Sequence, residues 1–366
     1  MINESAADPN IIIFLCHEKD IERERKGYAD AFARLGYEVV CSGEVTELKG
    51  ILNKYNNRIF AIIQPEGYAA IHPTDILDIA IPTIIFQWDT YSRTSTRARA
   101  SLPYDIKIVC HPGYEKIFEE AGCKNTFLIS HSVDDHLIGS EEAKERTLEV
   151  GWVGRFDGNF YKLRRQVLKL LEVEGFRTNN VGGNYSWHEM IGIYKQSKIV
   201  VNISRDDYLQ DANLRCFEAM GSGALVITKL PSELTGLNFV DGRDFVGFES
   251  FENLKDLIRY YLDNNEKRFE IANNGQKRVL ANHTYIKNAQ NLIALIKNNG
   301  SKAMRENKLR MATREAKLQA IAYSYYKDSD LQKMFHCLIL ANKRPSFNTL
   351  WLVLRLFLVK YKRILS

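Results

Sequence analysis

Residues 200–228 constrain the fold of this chain more than any other segment. The segment begins with an apolar run, continues through a polar loop into an amphipathic stretch that ends at a glycine, and closes with a second apolar run. Short apolar runs that alternate with helical patterns are typical of parallel α/β sheets, whose strands are buried on both faces. The segment therefore predicts a strand, a loop, a helix and a second strand.

The same alternation extends over most of the chain and predicts two successive α/β series. The first series has predicted strands at residues 11–15, 38–41, 60–64, 83–87, 106–110 and 126–129, with a helix at 27–35. The second has predicted strands at residues 148–153, 177–181, 199–203, 224–228 and 244–246, with helices at 251–263, 266–281 and 286–297. At 366 residues, two domains and an appendage are the natural expectation.

Charge sets the last 66 residues apart from the rest. Residues 301–366 hold 14 Lys and Arg against 4 Asp and Glu, whereas residues 1–300 hold 36 against 41. The apolar run in 347–365 is too short to span a bilayer, which needs ~20 apolar residues. It suits a helix in the interface of an anionic membrane, or a helix packed on the preceding domains.

The N-terminus shows no secretory signal, and the six cysteines are scattered without a Cys-x-x-Cys pair. We therefore expect reduced thiols and a cytoplasmic protein, with peripheral association at the inner face of the cytoplasmic membrane as an option for the basic tail. No nucleic-acid-binding motif accompanies the basic residues, so nucleic acid is not an expected partner.

The polar loop and helix within residues 200–228 form a candidate anion-binding site. A helix N-terminus presents unpaired N–H groups and the positive end of the helix dipole, which suits a phosphate. Glu218 lies one turn into this helix, where its carboxylate can accept hydrogen bonds from sugar hydroxyls. A phosphate beside sugar hydroxyls is what a nucleotide-sugar presents, so we expect such a ligand here.

The run Phe217-Glu218-Ala219-Met220-Gly221-Ser222-Gly223-Ala224-Leu225-Val226 resembles the donor-site helix and following strand of the group 1 glycosyltransferases of the GT-B fold. An asparagine and an arginine before Phe-Glu-Ala, here Asn213 and Arg215, are similar to the CgeB-like branch of that family. The resemblance continues through residues 260–262 and 279–285.

This resemblance implies two Rossmann-like parallel-sheet domains that face a cleft. The expected domains are residues 1–140 on the acceptor side and residues 145–298 on the nucleotide-sugar side, followed by a helical extension at 301–366. In this fold the last helix of the second domain crosses back over the first domain. The donor then lies between the domains, outside the carboxyl ends of the strands.

The resemblance also assigns residues that would bind the diphosphate of the donor. Gly154 allows the backbone to approach the phosphates closely, and Arg155 neutralises their charge. Lys162 stands for the family's second cation, but it follows Arg155 by seven residues instead of the usual five, so Arg164 or Arg165 can substitute for it.

The Glu-x7-Glu motif of the family is only half present. Glu218 matches the second glutamate, which typically binds the ribose, whereas the first position is occupied by Gln210, which carries no charge. Arg215 can add a positive charge that the missing glutamate no longer offsets, or it can pair with Asp211 or Glu218.

Three further residues complete the expected donor site. Asn213 and Leu214 offer backbone N–H groups to the β-phosphate. Gly183, within Gly182-Gly183-Asn184, is read either as the floor of the base site or as a simple turn.

Asp89 is the candidate residue on the acceptor side. It follows the strand at residues 83–87, at the edge of the sheet that faces the cleft, where the CgeB-like branch commonly has an aspartate. We expect it to orient or deprotonate the acceptor hydroxyl, with His111 and His17 as alternatives. The Asp-x-Asp sequence at residues 328–330 lies between helical segments and is read as a helix cap, so no catalytic metal is expected.

The resulting expectation is a hexosyltransferase that moves a sugar from a nucleoside-diphosphate-sugar to a glycan or lipid-linked acceptor. By resemblance, it retains anomeric configuration, needs no metal or other cofactor, and acts in assembly of bacterial surface polysaccharide. The expected catalytic residues are Asp89, Arg155 and Glu218. Two alternatives stay open: a nucleotide-sugar epimerase of the same architecture, and a non-catalytic sugar-binding or membrane-recruitment protein, which Gln210 keeps in play.

Overall fold

The structure, a computed structural model, describes residues 9–43, 47–65, 73, 75–76, 78–139 and 145–310. Its first sheet has six parallel strands in the order β2-β1-β3-β4-β5-β6. These strands are β1 (Ile11–Phe14), β2 (Glu38–Cys41), β3 (Ile59–Gln64), β4 (Thr83–Gln87), β5 (Ile106–Val109) and β6 (Thr126–Leu128). The helices of this part of the chain are α1 (Arg23–Arg34), α2 (Lys49–Tyr55), α3 (Thr94–Ser101), α4 (Tyr114–Glu120) and α5 (Asp135–Gly139).

The second sheet has four parallel strands in the order β10-β9-β8-β7. They are β7 (Leu148–Gly151), β8 (Ser197–Asn202), β9 (Leu225–Lys229) and β10 (Val246–Phe248). The remaining helices are α6 (Lys162–Val173), α7 (Trp187–Gln196), α8 (Leu214–Gly221), α9 (Phe251–Asp263), α10 (Asn265–Asn282) and α11 (Tyr285–Arg310). Two Rossmann-like domains are therefore present, as the resemblance implies.

The apolar runs become strands because both faces of each sheet are covered. In β1, Ile12 and Phe14 pack in the core that contains α1 and α11, whereas Ile11 and Ile13 pack in the core on the opposite face. All four side chains are at most 1% exposed. A strand buried on both faces needs an unbroken apolar run, and this is the pattern by which these strands were predicted.

The strand predicted at residues 177–181 is wrong. This segment makes a single bridge, between Thr178 and Val150, and then leaves the sheet. Asn179 takes the place of a ladder partner: its Oδ1 accepts from Trp152 N and its Nδ2 donates to Trp152 O, both at 2.8 Å. The Asn179 side chain thus bonds to the backbone N–H and C=O of Trp152, the residue directly after β7. The segment that follows Asn179 is therefore not held in the sheet and can turn toward the other domain.

The last helix crosses back to the first domain, as expected. Residues 130–134 pair with the start of α11: Val133 N donates to His283 O at 2.9 Å and Tyr285 N donates to Val133 O at 3.0 Å. The ring of Tyr285 then lies against Tyr28 of α1, with ring centroids 5.3 Å apart. α11 continues without a break through residues 298–301, where the boundary of the extension was predicted.

Within the described residues, no helix combines the length and apolar character needed to cross a membrane. Cys16, Cys41, Cys110, Cys123 and Cys216 are free thiols. The sequence beyond residue 310, including the apolar run at 347–365 and the Asp-x-Asp sequence at 328–330, lies outside the described residues.

The contact between α1 and α11 predicts the effect of Gly27→Ala. A Cβ at Gly27 would lie 2.3 Å from the ring of Tyr285. The better helix propensity of alanine, worth up to about 1 kcal/mol, cannot offset displacement of a buried ring, so we expect net destabilisation by about 1–3 kcal/mol. Chemical denaturation measures this. Gly50→Ala in α2 is the control, because nothing lies within 4 Å of its added Cβ; it should be neutral or stabilising. Equal unfolding midpoints for the two variants would contradict the packing described.

Candidate functional site

A cavity of about 910 Å³ lies between the two domains, at the carboxyl ends of the strands. The first domain contributes the segment between β1 and α1, and the second contributes the loops after β7 and before α7. The lining residues are Ile21, Glu22, Arg23, Lys26, Val153, Gly154, Arg155, Phe156, Asp157, Val181, Gly182, Gly183, Asn184, Tyr185, Ser186, Trp187 and Met190. Its size and position between domains suit a nucleotide-sized ligand.

Gly154 and Arg155, both predicted donor residues, line this cavity. Gly154 has a φ of 147°, and a Cβ there would lie 2.3 Å from Nη2 of Arg215, so glycine is required at this position. The side chain of Arg155 is 72% exposed, and its ion pair with Asp157 is long, at 3.7 Å. The Arg155 guanidinium is therefore available to an anion in the cavity.

The three basic residues at the start of α6 have different roles. Arg164 is buried and donates to Ile203 O at 2.7 Å and to Arg155 O at 2.6 Å. Arg165 donates to Phe156 O and Gly158 O of the same loop. Both guanidinium groups therefore hold the loop that carries Arg155.

Lys162 is exposed and begins α6, and its backbone N–H donates to Asp206 at 2.7 Å. It is not among the residues that line the cavity. Lys162 therefore does not line the cavity that Arg155 lines, although both were expected to bind the same diphosphate.

Arg215 lies directly behind Gly154. Its Nε donates to Val153 O and its Nη1 to Asn202 Oδ1, both at 2.7 Å, and its guanidinium lies 5.0 Å from the centroid of the Trp152 ring. The guanidinium thus bonds to the ends of two strands. Its hydrogen bonds within the described residues go to these strand ends, not to Asp211 or Glu218 as one expected role required. The other role, a positive charge that the missing glutamate no longer offsets, stays a prediction.

Asn213, one of the residues expected to bind the nucleotide-sugar, is the N-cap of α8. Its Oδ1 accepts from Arg215 N at 3.1 Å, and its Nδ2 donates to Asn202 Oδ1 at 3.0 Å and Ser204 Oγ at 2.8 Å. Leu214 is the first residue of the helix. The first turn of α8 is therefore anchored to the end of β8, next to the loop of Gly154.

Glu218 is reached from the cavity through Trp187, which the sequence analysis missed. Glu218 is 2% exposed, and Trp187, which lines the cavity, donates its Nε1–H to Glu218 Oε1 at 2.9 Å. Burial raises the pKa of Glu218 to about 7, against the opposing effects of the Arg23 charge and the Trp187 hydrogen bond. The signal for Trp187 was present: Ser186 and Glu189 form a capping box that begins α7 and places Trp187 at its first turn.

Gly183 lines the cavity, as expected for a floor of the base site, and it also belongs to a turn, because its N–H donates to Asn180 O at 3.0 Å. A Cβ at Gly183 would lie 2.5 Å from the ring of Tyr185. The turn is therefore observed, and the floor of a base site stays a prediction for this residue. Gln210 is exposed and does not line the cavity; its carbonyl accepts from Glu233 N at 2.8 Å.

Asp89 lies in a second cavity, of about 410 Å³, at the end of β4. The two cavities share Glu22 and Arg23 as lining residues. The side chain of Asp89 is 60% exposed, and its Oδ2 lies 4.0 Å from Nη2 of the buried Arg97. Asp89 thus presents a carboxylate next to the larger cavity.

His111 joins a buried cluster that spans the two domains. Its Nδ1 lies 2.8 Å from Glu233 Oε2 and 3.8 Å from Asp211 Oδ1. Burial raises the pKa of Asp211 to about 6. Burial by itself would lower the pKa of His111, but the hydrogen bond to Glu233 and the charge of Asp211 raise it. The His111 imidazole therefore lies between two carboxylates of the second domain and links the two domains here.

Among the described residues, the same cluster is the group with donor atoms suited to a metal ion. The candidate ligand atoms of His111, Asp211 and Glu233 lie within 4.8 Å of one another. One imidazole and two carboxylates suit a divalent transition metal. Sequence reasoning named His111 as an alternative to Asp89 but missed its partners, because they lie 100 and 122 residues away.

Residues 158–294 match a protein-family model described as "Glycosyl transferase-like". The matched region covers most of the second domain. A comparison with curated proteins found no significant match.

Solved structures of glycosyltransferases share the fold. Sucrose-phosphate synthase from Thermosynechococcus elongatus is 14% identical, with a TM-score of 0.54 over 79% of this chain and 98% of that chain. HepE of Anabaena in complex with UDP and glucose is 13% identical, with a TM-score of 0.55 over 79% and 100%. The catalytic domain of starch synthase IV from Arabidopsis thaliana, bound to ADP and acarbose, is 9% identical, with a TM-score of 0.56 over 81% and 99%.

Identities this low show the fold alone, and the fold is GT-B: two Rossmann-like parallel-sheet domains that face a cleft. Together with the family match, the fold supports a group 1 glycosyltransferase.

Burial of Glu218 predicts a pH-dependent effect of Glu218→Gln on stability. Because the folded-state pKa is about 7, against an ordinary value of 4.5, the folded protein binds more protons than the unfolded chain between these values. The wild type should therefore lose stability as pH rises from about 4.5 to 7, by up to about 3 kcal/mol. Glutamine can still accept from Trp187 without this cost. The variant should unfold at a higher temperature than the wild type at pH 8 and at a similar one at pH 4.5; an equal difference at both pH values would refute the raised pKa.

Proposed function

We propose that this protein transfers a hexose from a nucleoside-diphosphate-sugar to a glycan or lipid-linked acceptor, with retention of anomeric configuration and without a metal. We further propose that it belongs to the CgeB-like branch and acts in assembly of surface polysaccharide. The observation that carries the proposal is the interdomain cavity, which joins an exposed guanidinium, a glycine that admits a phosphate, and a buried carboxyl reached through Trp187.

The second-domain wall of this cavity offers groups for both ends of a nucleoside diphosphate. Gly154 and Arg155 would receive the phosphates, with the start of α8 behind them. Glu218 would accept the ribose hydroxyls once Trp187 yields its hydrogen bond, and Gly183 would lie beneath the base. HepE of Anabaena has been solved with UDP-glucose, and starch synthase IV with ADP, so a nucleoside diphosphate is the ligand class to test first.

Transfer breaks the bond between the anomeric carbon and the β-phosphate oxygen, so negative charge grows on the leaving diphosphate. Arg155 and the N–H groups at the start of α8 would stabilise that charge, which is the role a metal plays in other transferases. The acceptor hydroxyl would approach from the smaller cavity, where Asp89 orients it or takes its proton.

The location of the protein is also proposed. A basic excess in residues 301–366 favours contact of this cytoplasmic enzyme with an anionic membrane surface, where a lipid-linked acceptor would be found.

Arg155→Ala tests the diphosphate site. Loss of a charge-assisted contact should weaken binding of UDP, ADP or GDP, whichever the wild type prefers, by about 10- to 100-fold. Calorimetric titration in EDTA measures this and tests metal independence in the same experiment. Arg177→Ala is the matched control, because Arg177 is similarly exposed (64%) and makes an ion pair of the same length (3.7 Å) with Glu149 away from the cavity. If no nucleoside diphosphate binds the wild type, or if binding needs a divalent ion, the proposal fails; in the second case the cluster of His111 is the first place to mutate.

Asp89→Asn tests the acceptor side. If Asp89 orients or deprotonates the acceptor, its loss should lower kcat by about 10²- to 10⁴-fold while the affinity for the nucleoside diphosphate stays unchanged. Asp256→Asn, at an exposed position of α9, is the control. Unchanged kcat in Asp89→Asn would move the role to His111. Release of an isomerised nucleotide-sugar without any acceptor would instead favour the epimerase.

A further inference from the structure

The first turn of α1 places three basic side chains at the carboxyl end of the first sheet, and two of them are engaged by groups of their own domain. Arg25 donates to Asp20 O at 2.8 Å, and Lys26 pairs with Asp30 at 2.7 Å. Arg23 differs. Its Nη2 reaches across the cleft to Met190 Sδ, at 3.3 Å, on α7 of the second domain.

A thioether is a weak acceptor, whereas a guanidinium offers five N–H donors. Within the part of the chain that the structure describes, Arg23 forms no ion pair with a carboxylate, and the residue is exposed. Its guanidinium therefore keeps N–H donors available to a ligand in the cleft.

The backbone of Arg23 is strained. Its φ is 46°, in the left-handed region, although it carries a full side chain and opens a helix. Such a conformation costs an ordinary residue on the order of 1 kcal/mol and is concentrated at ligand-binding sites. Glycine or asparagine would adopt this conformation more easily. The start of a helix therefore does not explain why an arginine occupies this position.

Arg23 also lies where the two cavities meet. It lines both the larger cavity and the one that contains Asp89. The positive charge of Arg23 lowers the pKa of Glu218, whereas burial raises it. The guanidinium thus lies near the carboxyl proposed to bind the ribose. Arg155 lines the same cavity from the second domain. A ligand between the walls would thus meet one exposed guanidinium from each domain.

We propose that Arg23 binds the diphosphate of the donor from the first domain, so that the diphosphate bridges Arg23 and Arg155 and holds the cleft closed around it. This rests on the proposed function, since it assigns a further residue to the same ligand. It also accounts for Lys162, which lies outside the cavity: the second cation of the site comes from the opposite domain instead of from α6. The weak contact with Met190 is then exchanged for charge-assisted hydrogen bonds at little cost.

The test is a comparison of UDP, UMP and uridine, with ADP and GDP series in parallel, on the full-length protein in EDTA. In Arg23→Ala, affinity for the diphosphate should fall about ten-fold or more, that for the monophosphate less, and that for the nucleoside little. Arg23→Lys should recover part of the loss, because it keeps the charge but not the fork of donors.

Arg23→Gly separates binding from folding. It removes the side chain and relieves the left-handed strain, so the ligand-free variant should unfold at or above the wild-type temperature while it loses diphosphate affinity like Arg23→Ala. Arg58→Ala is the charge-matched control in the first domain, since Arg58 is 55% exposed and pairs with Glu38 at the opposite end of the sheet.

Wild-type affinity for the diphosphate in Arg23→Gly and Arg23→Ala would overturn the inference while leaving the proposed function intact. An equal loss for all three ligands would also overturn it, because Arg23 would then act on the nucleoside. Absence of any nucleoside diphosphate binding by the wild type would instead remove the proposed function, and the inference with it.

Discussion

The pairing of residues 130–134 with the start of α11 joins the two domains. Val133 exchanges backbone hydrogen bonds with His283 and Tyr285, and the Tyr285 ring packs where a side chain at Gly27 would otherwise lie. Because the chain crosses and returns at one place, the two parallel sheets are held with their carboxyl ends toward each other. The cleft, and the meeting of groups from both domains within it, follow from this crossing.

Some basic residues of the second domain hold its loops in place, and others can bind a ligand. Arg164, Arg165 and Arg215 donate to backbone carbonyls or to Asn202, and thereby shape the loop of Gly154 and Arg155. A buried guanidinium must have its donors satisfied, since an unsatisfied one costs several kcal/mol. The side chain of Arg155 is mostly exposed, so water can accept from its N–H groups. Its charge is therefore available to a ligand.

Much of the fold was predictable from local pattern, and the failures have physical causes. Strands buried on both faces appear as unbroken apolar runs, and each of the ten strands in the described residues overlaps its predicted position, the edge strand β10 by a single residue. The strand at residues 177–181 was wrong because the side chain of Asn179 replaces a backbone partner, which no apolar pattern reports. Of the expected donor residues, Gly154, Arg155 and Gly183 line the cavity, whereas Lys162, Gln210, Asn213, Leu214, Arg215 and Glu218 do not.

By itself, the sequence determined the alternation of strands and helices and the helix that carries Glu218, because each depends on neighbours within a few residues. Only the tertiary structure decided which charges meet. It set Trp187 over Glu218, brought His111 against Glu233 from 122 residues away, and aimed Arg23 across the cleft. Burial and distance between chain-remote groups set hydrogen bonds and pKa values, and neither is encoded in local spacing.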